Sequence, residues 1–129
     1  VSQVRFSNPA GVPPPAGAYS QAALVEGPGR RLLVSGQIGV AADGSVADGG
    51  PAQIRQALAN LGTVLGAHGM TPDKVARVLV LLTDRALLAD WRAARNAFFG
   101  DHAPTSTLMV VAGLADARFL VEVEAEAVD

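Results

Sequence analysis

The chain has 129 residues, 50% of them hydrophobic, with one Trp, one Tyr and four Phe, so a single domain must fill its core mainly with Val, Leu and Ala. Ten Lys or Arg against twelve Asp or Glu leave a net charge of −2 with no basic cluster, and nucleic acid is therefore not an expected partner. The absence of cysteine excludes disulfides, thiolate metal sites and a cysteine nucleophile; two isolated histidines, His68 and His102, lack metal-ligand spacing, so neither metal nor cofactor is expected.

Val4-Arg5-Phe6 alternates and reads as a short first strand. Residues 8–15, ending in Pro13-Pro14-Pro15, form an extended loop, because proline removes backbone donors and fixes φ. Tyr19 to Glu26 and Arg31 to Val40 are strand-like and broken at Gly27-Pro28-Gly29, the pattern of a hairpin. Asp43-Gly44 marks a further turn.

The period then changes. Ile54, Ala57, Leu58, Leu61, Val64 and Leu65 recur at helical spacing, with Pro51 near the start and Gly69 as the stop. Val75 to Thr83 is nearly all β-branched or Leu and predicts a strand covered on both faces. A second amphipathic helix carries Leu87, Leu88, Trp91, Ala94, Arg95 and Phe98 on one side and ends at Gly100. Thr105 to Ala112 and Arg118 to Ala127 are the last two strands. The order β-β-β-α-β-α-β-β predicts an α+β sandwich, two helices on one face of a mixed sheet, in one domain spanning residues 1–129. The uncovered sheet face also carries apolar residues, which implies a homo-oligomer. The first 25 residues contain no apolar stretch of the secretory type, and no apolar run is long enough to cross a bilayer. A cytoplasmic protein without membrane contact is expected.

Chemistry concentrates in a few segments. On the last strand Phe119, Val121, Val123, Ala125 and Ala127 alternate with Arg118, Leu120, Glu122, Glu124 and Glu126. Three carboxylates on one strand face are either solvated or paired with something. Val34-Ser35-Gly36-Gln37 leads a strand into a glycine, which marks a bulge or close strand packing. Tyr19 is the sole tyrosine, and its hydroxyl is either a structural partner or a site group.

Gly17-Ala18-Tyr19-Ser20-Gln21, Val34-Ser35-Gly36-Gln37-Ile38, Phe98-Phe99-Gly100 and Val121-Glu122-Val123-Glu124-Ala125 together resemble the RidA/YjgF family, from Phe6 to Ala127. Typical members are small trimers that hydrolyse reactive enamines and imines. The resemblance implies a YjgF-like (chorismate-mutase-like) fold, a barrel-centred trimer and three clefts between subunits. It also implies roles: Glu122 as the carboxylate that activates water, Tyr19 as the ring lining the cleft, and Ser35, Gly36 and Gln37 beside the ligand. The chain departs from the pattern in Ala103-Pro104-Thr105-Ser106-Thr107, where Thr105 stands in place of the family's carboxylate-gripping arginine. A neutral hydroxyl cannot make the two parallel hydrogen bonds of a guanidinium. Ser106 and Thr107 still match and offer hydroxyls to a ligand. Arg92 and Arg118 are the candidate replacement cations, set against the plainer reading of Arg92 as part of a solvated helix face. The implied activity is hydrolytic deamination of a small enamine or imine with altered specificity. The alternative is a non-catalytic homotrimer that binds a small molecule on the same fold. The ribonuclease activity attached to parts of the family is disfavoured by the acidic balance and the lack of aromatic stacking platforms.

Overall fold

A computed structural model describes residues 3–129. Its strands are β1 (Gln3–Ser7), β2 (Ala22–Glu26), β3 (Arg30–Ile38), β4 (Val75–Leu82), β5 (Thr105–Val110) and β6 (Val121–Val128), with helices α1 (Gly50–Ala67) and α2 (Leu88–Phe99). The element order is the expected one, with single 3₁₀ turns at Pro72–Lys74 and Arg85–Leu87. One sheet has the strand order β1-β2-β3-β6-β4-β5; every pair is antiparallel except β4 with β5. That parallel pair requires a crossover, which α2 supplies.

Both helices cover one face of the sheet, as alternation along the strands dictates. Val121, Val123, Ala125 and Ala127 of β6 are buried beneath them with Val78, Val80 and Leu82 of β4. From α1 the stripe Ile54, Ala57, Leu58, Leu61, Val64 and Leu65 enters the same core. Pro51 opens α1, and Gly69, at φ 69°, closes it by turning the chain so that the Met70 N–H donates to Leu65 O at 3.0 Å. Leu61 is completely buried. Leu61→Ala is expected to lower unfolding stability by about 2–5 kcal/mol, read from the denaturant midpoint at unchanged slope. A loss below about 1 kcal/mol would contradict the packing of α1 described here.

The opposite face differs from expectation at β4. In a single chain Ala76 and Arg77 are exposed and Leu79 and Leu81 only partly covered, because no layer lies on that side. The face is apolar at its margins: Phe6 is 70% and Met109 45% exposed. The strands start and stop within a few residues of the predicted limits. The largest differences are at β2, which begins at Ala22 rather than Tyr19, and at β6, which begins at Val121 rather than Arg118; in each case the preceding residues are bends, turns or irregular backbone.

Candidate active site

The site is built on an irregularity in β3. Its register with β6 runs Val34 opposite Ala125 and resumes with Gln37 opposite Val123, so Ser35 and Gly36 together oppose Glu124 alone. This β-bulge shifts the alternation by one residue. Val34 and Gln37, three apart, consequently both face the helices and are each 2% exposed.

A buried polar network locks the bulge to the preceding loop. Gln37 Nε2 donates to Gln21 Oε1 at 2.6 Å and to Ser35 O at 3.0 Å. Gln21 Nε2 donates in turn to Pro13 O at 3.2 Å, and the Gln21 N–H to Asn8 Oδ1 at 2.9 Å. Ser35 donates its N–H to Gln21 O at 2.8 Å and its hydroxyl to Ser20 O at 2.6 Å. With these polar groups satisfied, the loop that carries Tyr19 is held against the bulge. The Tyr19 ring itself is half exposed, and its hydroxyl accepts from the Ala16 N–H at 3.4 Å.

Glu122 lies directly over the bulge. A Cβ placed on Gly36 would fall 2.6 Å from Glu122 Cδ, far inside van der Waals contact, so the carboxylate occupies the space that a side chain at position 36 would need. Glu122 is partly buried, and this burial, followed by the negative charge of Glu124, raises its pKa above the ordinary carboxylate value.

Tyr19, Ser35, Gly36, Gln37, Arg118 and Glu122 all line one cavity of about 580 Å³. Pro13, Ile38, Val40, Val46 and Phe119 give it an apolar wall. A small molecule in it would meet a carboxylate of raised pKa packed on the Gly36 backbone, a phenol and one guanidinium. Nothing in this set has the make-up of a metal site, and no cluster of three His, Cys, Asp or Glu among the described residues could hold an ion.

The remaining expected site residues lie elsewhere in the single chain. Thr105 pairs with Arg77, whereas Glu122 pairs with Leu81, so four residues of strand, about 13 Å, separate them along one sheet face. The Thr105 hydroxyl donates to Ala76 O at 2.9 Å. Thr107 shares that face, while Ser106 falls on the helix side with Leu108. Arg92 is exposed on α2, across the sheet from Glu122. A second hollow, of about 490 Å³, lies between α1 and α2 and is lined by Leu58, Ala94 and Phe98. Its lining includes Arg55 and Asp90 but no tyrosine, and it lies across the sheet from Glu122.

Two residues that position the site were not singled out from the sequence. Gln53 Nε2 donates to Arg118 O at 2.9 Å, and its Oε1 accepts from the Leu120 N–H at 2.9 Å. Asn60 Nδ2 donates to Ile38 O at 3.0 Å and Val40 O at 2.9 Å. Both amides are 3% exposed or less. They stand seven residues apart, in phase with the apolar stripe of α1, and a polar residue at such a position is the signal that would have found them.

Comparison with known proteins agrees with this architecture. A family model described as Endoribonuclease L-PSP matches residues 10–129. A 2-iminobutanoate/2-iminopropanoate deaminase of Rattus norvegicus is 38% identical over 114 residues, covering 87% of this chain and 80% of the relative. The Homo sapiens protein of the same name is 33% identical and covers 96% and 89%. Among solved structures, RidA from an Antarctic Psychrobacter superposes with a TM-score of 0.89 at 26% identity, covering 95% of this chain and 98% of that one. The YjgF gene product of E. coli gives a TM-score of 0.86 at 29% identity, covering 96% and 98%.

Proposed function

The chain belongs to the Endoribonuclease L-PSP family, the family of RidA and YjgF, and from this premise we propose that its cavity hydrolyses a small imine or enamine to a carbonyl compound and ammonia. The observation that carries the reading is Glu122: a partly buried carboxylate of raised pKa, seated over Gly36 in the cavity that Tyr19 lines. Water adds to the C=N carbon, its oxygen forming the new bond while Glu122 takes a proton from it. Glu122 passes that proton to the nitrogen, which gives a neutral carbinolamine. In the second half Glu122 takes the carbinol hydroxyl proton and hands it to the nitrogen, the C–N bond breaks to release ammonia, and the carbinol oxygen becomes the carbonyl, so the sum is imine plus water to carbonyl plus ammonia. Tyr19 orients the water or the leaving nitrogen with its hydroxyl, and the Ser35–Gly36 main chain fixes the substrate. No step requires a cofactor.

A homotrimer with clefts between neighbours is part of the proposal, and the exposed apolar residues Phe6 and Met109 support a partner on the open sheet face. In such an assembly Thr105 and Thr107 belong to the wall that one subunit presents to another. RNA cleavage, the activity in the family's description, fits this chain poorly. The net charge is −2, and the cavity lining holds a single cation, too few to track a phosphate backbone. The expected result is accelerated formation of 2-oxobutanoate and ammonia from 2-iminobutanoate generated in solution. Rates equal to buffer alone, for this imine and for bulkier ones, would sink the deaminase reading.

A further inference from the structure

We propose that Arg118 replaces the missing arginine of β5: its guanidinium, presented from the loop between β5 and β6, takes the carboxylate of the substrate. For turnover this role rests on the deaminase reading; for binding it does not.

Arg118 is the one cation among the residues lining the cavity of Glu122, Tyr19 and Ser35. Its backbone is fixed from α1, where Gln53 binds Arg118 O and the Leu120 N–H on either side of Phe119. Its side chain is fixed by Asp116: Nε donates to Oδ1 at 3.0 Å and Nη2 to Oδ2 at 3.0 Å. The Arg118 N–H adds a bond to Oδ1 at 2.8 Å. These contacts, the guanidinium's first and the backbone's second, hold the Asp116 pKa down to about 2, so Asp116 is ionised at neutral pH.

A guanidinium has two edges that suit a planar acid. Asp116 takes the Nε/Nη2 edge. The Nη1/Nη2 edge remains for a second carboxylate, and the first pairing holds the arginine ready for it. No other candidate is placed to act in the single chain. Arg92 lies across the sheet, Arg77 stands opposite Thr105, and the Thr105 hydroxyl is committed to Ala76 O. With Arg118 gripping one end of a 2-imino acid, the C=N carbon lies one bond from the carboxylate, within the cavity that Glu122 also lines.

The test compares binding of 2-oxobutanoate and of its neutral amide to the full chain, by titration calorimetry or ligand-observed NMR. Wild type is expected to prefer the acid. Arg118→Gln is expected to weaken acid binding roughly 10- to 100-fold, the range for hydrogen bonds to a charged group, and to leave amide binding unchanged. Arg118→Lys should restore part of the preference. Asp116→Asn is the control for a merely structural loop pin, whose loss would move acid and amide together. Equal losses for both ligands in Arg118→Gln, an unchanged preference for the acid, or no preference in wild type would each overturn the assignment. Acid selectivity that depends on Arg118 without any turnover would leave Arg118 standing and remove the deaminase reading. Turnover of 2-iminobutanoate that is indifferent to Arg118 would do the reverse.

Discussion

Glu122→Gln is expected to reduce imine hydrolysis by roughly 10²–10⁴-fold, the usual range for a positioned acid–base group, while leaving the fold intact. Glutamine keeps the size and the hydrogen-bonding atoms but cannot take a proton from water. The wild-type rate should rise with pH through the Glu122 pKa, which lies above the ordinary carboxylate value because the group is partly buried and faces the charge of Glu124. It should then level off once the carboxylate is ionised. In the glutamine variant that limb should vanish together with most of the rate.

Stability should move the other way, if at all. With the folded pKa raised above the unfolded one, the folded state binds more protons. Glu122 therefore favours folding below its unfolded pKa, and that advantage is lost as pH rises through the folded value. At neutral pH the ionised carboxylate is a cost, so the glutamine variant should be no less stable than wild type. A variant that retains full turnover would remove Glu122 from the chemistry. One that fails to fold would show that the side chain is structural instead.

Gly36→Ala is the second large expectation, a fall in turnover of about 10²-fold at nearly unchanged folding stability. Gly36 is not among the glycines at positive φ, so alanine imposes no backbone strain there. Its methyl group would instead fall 2.6 Å from Glu122 Cδ and 2.8 Å from Cγ, so the outer part of that side chain, carboxylate included, must move aside. A displacement of about 1 Å at a reacting group costs on the order of 10² in rate. If Gly36 served only close strand packing, the opposite pattern would appear, with lower stability and normal activity per folded molecule. Thermal unfolding and turnover measured on the same samples separate the two.

The elements were legible because each rests on a local period. The stripe from Ile54 to Leu65 and the alternation of Val121, Val123, Ala125 and Ala127 state which side of each element is buried, and both sets are buried as expected. The motif around Tyr19 was legible through its resemblance to a family pattern. At Gly36 an isolated strand glycine suggested a bulge or close packing, and the register shows a bulge. Gln53 and Asn60 went unnoticed since their meaning depends on which distant carbonyls they reach, Arg118 O in one case and Ile38 O and Val40 O in the other.

Periodicity and short motifs were enough for the α+β architecture and the family, because both are properties of neighbouring residues. Folding in three dimensions was needed to seat Glu122 over Gly36, to bring Arg118 to the same cavity, and to set Thr105 two strands away from Glu122 and about 13 Å further along the strand direction. Those relations follow from strand register, a bulge that shifts alternation by one residue, and a loop pinned by a glutamine on a helix. Each joins residues far apart in the chain, and spacing along a sequence carries no record of such contacts.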